Sequence, residues 1–229
     1  MLSISTVHLN FETEEKNIRL LRESVSDKRC CKADKYLRKE DMLRSLVGEC
    51  LCRAMIAESF NLSHNSLEFS ASDLGKPFLS ECSSIHFNIT HSGNWVGCAV
   101  SNAPVGIDIE RHKSMNTDIA ERFFSVEETE FIKERADEYT ERFFRIWTLK
   151  ESYIKAIGKG LHCPLNSFSV ISNNMIKQYV TNGEVGKLNI RTIAIADHYS
   201  GAVCFVGNKD SFPDISIYTI ETLLQRLTF

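Results

Sequence analysis

Apolar residues return every three or four positions through Lys39–Phe60, with Leu43, Leu46, Val47, Cys50, Leu51, Ala54 and Met55 on one side. That spacing predicts a long helix with one buried face, and Arg44 and Arg53 fall beside the face, where they could reach over its edge. The period then shortens. Residues 67–70 and 85–90 alternate as half-buried strands do and 94–100 forms a further strand, separated by turns at Asp73-Leu74-Gly75-Lys76-Pro77 and at Ser92-Gly93. A second round follows, with a helix over about 140–157 and strand-like stretches at 168–171, 186–196 and 201–207. With gaps, residues 91–102 align on 198–208 through a histidine, the turn glycine, a cysteine and a closing asparagine. The repetition predicts an α+β fold of two similar halves related by a pseudo-twofold, each a small antiparallel sheet packed on a long helix. The halves are expected to be residues 1–103 and 104–229, with the active site in the cleft between them.

Composition narrows the chemistry. The 229 residues are 43% hydrophobic and 25% charged, which excludes a disordered chain. With 27 basic and 30 acidic residues the formal charge is −3, so no global field draws in nucleic acid or an anionic membrane. An anionic ligand has to be held by a local basic cluster. No apolar run reaches membrane-spanning length, and the first residues lack the basic start and apolar stretch of a signal peptide. Eight cysteines without a C-x-x-C pair, several in apolar stretches, predict a reduced, cytoplasmic protein without structural zinc.

Three sets of residues could carry chemistry. In Val105-Gly106-Ile107-Asp108-Ile109-Glu110, a strand would put both isoleucines on one face and both carboxylates on the other. Paired carboxylates repel unless a cation lies between them, and hard oxygens so placed suit Mg²⁺; a solvated acidic face is the simpler alternative. In Trp147-Thr148-Leu149-Lys150-Glu151-Ser152-Tyr153-Ile154-Lys155, helical spacing aligns Trp147, Glu151 and Lys155, and Glu151 is well placed to pair with Lys155. The third set is basic and scattered: Lys28, Arg29, Lys32, Arg44, Lys76 and His91, of which Lys76 and His91 sit at element ends.

Taken in order, Gly75-Lys76-Pro77, Phe87-Asn88-Ile89-Thr90-His91-Ser92 and the two segments around Asp108 and Glu151 resemble the motifs of 4′-phosphopantetheinyl transferases. Length and doubled plan resemble the surfactin-synthetase-activating subclass, over about residues 26–210, with Thr90 standing where the family usually has serine. The resemblance implies transfer of the phosphopantetheine arm of coenzyme A to a serine of an apo carrier protein of a peptide, polyketide or fatty-acid synthase, by a monomer. It also implies that Asp108, Glu110 and Glu151 hold Mg²⁺, that Glu151 deprotonates the serine, and that Lys155 orients it and binds phosphate. Lys28, Lys32, Arg44, Lys76, Thr90 and His91 would hold the adenine-side phosphates, with Arg29 an alternative to one of the lysines. The stretch from about Thr117 to Thr140 would meet the carrier. Two other readings stay open: a non-catalytic coenzyme A or carrier-binding module, and a metal-dependent phosphodiester hydrolase.

Overall fold

Two four-stranded sheets, each backed by one long helix, organise the chain. The computed structural model describes residues 1–114, 118–173, 175–177, 179–182, 186–208 and 212–227. The chain runs through β1 (Leu2–His8), α1 (Glu15–Glu23), α2 (Asp27–Ala33), α3 (Lys39–Phe60), β2 (Phe69–Ala71), β3 (Pro77–Leu79), β4 (His86–Ser92), β5 (Trp95–Ser101) and β6 (Val105–Arg111). It continues through α4 (Asp118–Phe123), α5 (Val126–Lys133), α6 (Tyr139–Ile157), β7 (Ile171–Ser172), β8 (Met175–Ile176) and β9 (Tyr179–Asn182). It ends with β10 (Gly186–Ile193), β11 (Tyr199–Phe205), β12 (Ile215–Tyr218) and α7 (Ile220–Leu227).

The first sheet has the order β12-β1-β5-β4 and the second β6-β11-β10-β9. The second is antiparallel throughout, whereas in the first β12 joins β1 in parallel, with Ile4 opposite Ile215. Helix α3 covers the first sheet and α6 the second, which is the doubled plan expected from the pattern. A third apolar cluster, including Ile4, Ala99, Ile107 and Val203, glues the sheets to each other.

Several expectations change. Helix α3 is buried nearly all round from Ser45 to Ile56, not on one face, because α1, α2 and α7 cover its outer side. The segment-by-segment alignment is also displaced. Gly93 is a turn glycine with φ +55°, but Gly201 lies inside β11 as Gly97 lies inside β5, third in each strand; His198 (φ +62°) is in the turn, whereas His91 is within β4. The stretch 117–140, read as a loop, contains α4 and α5, while Thr117 lies outside the described residues. Finally, β12 and α7 return to the first sheet and its core, so the last described residues of 104–229 pack with 1–103.

Candidate active site

The alternation read from residues 105–110 fixes how β6 sits between the halves. Ile107 and Ile109 turn toward the other sheet, and Gly106, Asp108 and Glu110 turn toward α6. Gly106 sets the spacing: a Cβ there would come within 2.1 Å of the Ser152 carbonyl oxygen and 2.5 Å of the Ala156 nitrogen. Only glycine lets strand and helix backbones approach so closely. This contact brings Asp108 level with Lys155, whose ammonium lies 2.6 Å from Asp108 Oδ1. Lys155, expected to pair with Glu151 along the helix, instead crosses to the strand.

Asp108, Glu110 and Glu151 form one electrostatic group. Asp108 is buried, and burial raises its pKa even though Lys155 and hydrogen bonds from Thr90 and the Ile109 backbone pull it down. Glu110 is raised by burial and then by the negative charge of Asp108. Glu151 is raised by burial and by both other carboxylates. Asp108 Oδ2 is buried without a hydrogen-bond partner. An acceptor left bare among carboxylates that repel each other is costly to maintain, and a cation is the group that would satisfy it. The donor set is hard oxygen, which suits Mg²⁺. Among the described residues, however, no three such side chains stand close enough together to hold a metal ion as they are, and Lys155 occupies one side of Asp108.

Strand β4 is joined to β6 by side chains. The oxygens of Asn88, Thr90 and Ser92 accept the backbone N–H groups of Ile107, Ile109 and Arg111 at 2.9, 3.3 and 3.0 Å. Thr90 then donates its own proton to Asp108 Oδ1 at 3.2 Å. The hydroxyl expected on a phosphate is thus engaged with a carboxylate.

Beside this group lies a cleft of about 340 Å³ in the first half, lined by Lys28, Arg29, Lys32, Tyr36, Arg44 and His91 among others. Helix α2 delivers the first three. Its N-cap Ser26 and Arg29 are both fastened to Glu49 of α3, Arg29 at 2.9 Å. Arg29 is therefore held by Glu49 and by Ser45, which leaves Lys28 and Lys32 as the cations that α2 offers to the cleft. Arg44 donates to the Gly93 carbonyl at 2.8 Å and pairs with Asp41. His91 has a lowered pKa, first from desolvation and then from Arg44 and Lys155. Lys76 is placed elsewhere: its ammonium bonds the Lys155 and Ala156 carbonyls at 2.5 and 3.2 Å, capping the end of α6, and burial lowers its pKa to about 8.

The turn at Ser92-Gly93 is clamped from both halves. Asn94 N–H donates to Tyr199 Oη at 3.1 Å, and a Cβ at Gly93 would lie 2.1 Å from that oxygen. Sequence reasoning missed Tyr199, and it missed two buried ion pairs. Glu49 with Arg53 lies under the cleft, and the fully buried Glu128 with Lys150, at 2.8 Å, fastens α5 to α6 beside Glu151. The Ser125–Glu128 capping box was the available signal for α5.

Comparison with known proteins agrees with this architecture. Residues 10–103 match the family model described as 4′-phosphopantetheinyl transferase, N-terminal, and residues 104–204 match that of the 4′-phosphopantetheinyl transferase superfamily. The chain is 36% identical over 221 residues to 4′-phosphopantetheinyl transferase Sfp of Bacillus subtilis strain 168, covering 93% of this chain and 95% of that one. It is 33% identical to 4′-phosphopantetheinyl transferase psf-1 of Bacillus pumilus over 99% of this chain and 98% of the relative. For 4′-phosphopantetheinyl transferase gsp of Aneurinibacillus migulanus the identity is 40%, over 76% and 73%. Two halves that share a seam of strand and helix, with matches spanning both, define a chain that belongs to the 4′-phosphopantetheinyl transferase family. It is an Sfp-like enzyme, a phosphopantetheinyl transferase, and the non-catalytic reading is set aside.

Proposed function

We propose that the enzyme transfers the phosphopantetheine arm of coenzyme A to a serine hydroxyl of an apo carrier protein, with Mg²⁺ held by Asp108, Glu110 and Glu151. The observation that supports this most is the bare, buried Asp108 Oδ2 beside two carboxylates, Glu110 and Glu151, whose pKa values burial and then the charge of Asp108 raise. When bound there, Mg²⁺ would neutralise charge on the pyrophosphate and its leaving half.

The chain's own groups do the rest. Lys28, Lys32, Arg44 and His91 face a common cleft and would hold the adenine-side phosphates. The serine oxygen bonds to the pantetheine-side phosphorus, and the bridging oxygen leaves with adenosine 3′,5′-bisphosphate. Glu151 takes the serine proton; its raised pKa makes it a stronger base than an ordinary carboxylate. Lys155, partly exposed beside Asp108, is within reach of a phosphate oxygen on that side. Lys76 acts on this site by holding the α6 carbonyl end next to Lys155.

The carrier would belong to a peptide, polyketide or fatty-acid synthase and would approach across α4 and α5, where Phe123 and Val126 are exposed. One chain supplies both cleft and carboxylates, which supports a monomer, and no helix of the described residues is long and apolar enough to cross a membrane. Eight free thiols support a reducing, cytoplasmic setting.

Incubation with coenzyme A and Mg²⁺, with and without an apo carrier, tests the proposal by intact mass. Carrier modification accompanied by equimolar adenosine bisphosphate, abolished by a chelator, is the expected result. Release of the bisphosphate at the same rate without carrier would replace it with a hydrolase.

A further inference from the structure

Asn88, Thr90 and Ser92 share one face of β4 and contribute the same bond to the seam, yet they differ in a second respect. Among the described residues, Asn88 makes no hydrogen bond to a carboxylate of the site. Ser92 accepts the Arg111 N–H and donates its proton to Glu110 Oε2 at 2.8 Å. Thr90 does the same one step along, accepting from Ile109 and donating to Asp108 Oδ1. A hydroxyl has one proton, and a backbone N–H on its lone pair directs where that proton points. Each carboxylate thus has one oxygen tied to β4, and among the described residues Asp108 Oδ2 and Glu110 Oε1 carry no hydrogen bond. Two carboxylates, two hydroxyls and two backbone donors repeat with the two-residue period of the strands.

We infer that Ser92 is a positioning residue for Glu110: its hydroxyl occupies Oε2 and so presents Oε1 to the divalent cation. This rests on the metal reading above. Without the hydroxyl, the Glu110 side chain would be free to rotate and to swing both oxygens away from Asp108, so the site would have to order it again on binding. Loss of such outer partners typically weakens metal binding about 10- to 100-fold.

The test compares Mn²⁺ binding, followed by electron paramagnetic resonance in the presence of coenzyme A, with thermal melting of the metal-free protein. Ser92→Ala should bind Mn²⁺ about tenfold more weakly. Its melting temperature should change little, because the Arg111 N–H that it abandons is at the exposed end of the seam. Ser92→Thr, which restores a hydroxyl, should regain most of the affinity. Asn88→Ala, which breaks a buried seam bond to Ile107, should melt earlier and bind Mn²⁺ as the parent does. Parental Mn²⁺ affinity in Ser92→Ala, or an equal loss in Asn88→Ala, would overturn the inference, the second by showing that any loosening of the seam suffices. Should Ser92→Ala not fold, failure of the folded Ser92→Thr protein to bind Mn²⁺ at near-parental strength would overturn it equally. A parent that binds no Mn²⁺ would overturn the metal reading and this inference together.

Discussion

Glu49 and Asp108 are both 3% exposed, yet the molecule treats their charges in opposite ways. Glu49 lies between Arg29 and Arg53 and accepts the Ser26 N–H as well, so its pKa is lowered despite the desolvation it suffers. Asp108 has one lysine and one threonine on the same oxygen, a bare second oxygen, and two carboxylates nearby; its pKa is raised. The bonds of Glu49 to Ser26 and Arg29 dock α2 on α3, and those to Arg53 hold a buried guanidinium on the same helix. The asymmetry at Asp108 has no such structural return. A buried charge that is fully compensated identifies architecture, and one left short of partners identifies where a ligand belongs.

The contrast breaks first at Asp108. Asp108→Ala should reduce carrier modification by a thousandfold or more, about 4 kcal/mol, because it removes the carboxylate proposed to hold Mg²⁺ that β6 and α6 fix together. It should still melt cooperatively, since Lys155 is partly exposed and can be hydrated. Glu49→Ala should do the reverse. Leaving two guanidiniums against a missing partner should cost about 3–5 kcal/mol of stability by urea unfolding, with no direct effect on chemistry once folded. If Asp108→Ala unfolds and Glu49→Ala does not, the assignment of roles is inverted.

Next is the chemical step. Glu151→Gln should lower turnover about a hundredfold while coenzyme A affinity by calorimetry falls only modestly, because Asp108 and Glu110 remain. Parental turnover would transfer the proton to another acceptor.

The cationic cleft offers a smaller effect. Lys28→Ala and Lys32→Ala should each weaken coenzyme A by about tenfold, the scale of one charge-assisted phosphate bond. Arg29→Ala, whose partner is Glu49, should lower the melting temperature far more than the ligand affinity. Equal binding losses across all three would mean that Arg29 leaves Glu49 for the ligand.

The smallest effect is a pH slope. Raised native pKa values at Glu110 and Glu151 mean that the folded, metal-free protein holds protons more readily than the unfolded chain. Their stabilising contribution is present below the ordinary carboxylate range, about pH 4.3, and is lost as pH rises through the raised values. Glu49 works in the other direction, contributing above that range and losing its share as pH falls through its lowered value. Glu110→Gln should therefore melt with the parent near pH 4 and above it near pH 7 without metal. A constant gap across pH would show that neither the burial of the Glu110 charge nor its repulsion by Asp108 is felt by the fold.

Much of this was legible from spacing. Helix α3 matched its expected bounds, α6 came within a residue at its start, and β6 announced its carboxylates by alternation, because each of these follows a local period. The misses share a physical origin in distant partners. Strand β1 buries Ser5 and Thr6, so its hydropathy is ambiguous, and its neighbour β12 lies at the other end of the chain. The Glu151–Lys155 pair obeys a helix rule worth a few tenths of a kcal/mol, too little to hold Lys155 against a buried carboxylate 2.6 Å away. Lys76 had the position of a ligand-binding loop residue, and nothing local showed that its ammonium would find the α6 carbonyls. The Ser92 hydroxyl is one of several in the chain until β6 is laid beside β4.

The parallel pairing of β12 with β1 has a bearing on how the chain comes to be folded at all. During synthesis, β1 emerges before β6, α6 and the whole second sheet, while the strand that flanks it and the helix that completes its core, α7, emerge only after them. The first half must wait with one sheet edge unpaired and part of its apolar face uncovered, while the second sheet is already able to close on α6. Contacts of such long sequence separation slow folding and prolong exposure of an open strand. The half that is translated first is thus the half that is finished last, and a chain cut near residue 204 would keep every group of the cleft yet lose the strand and helix that seal its supporting core.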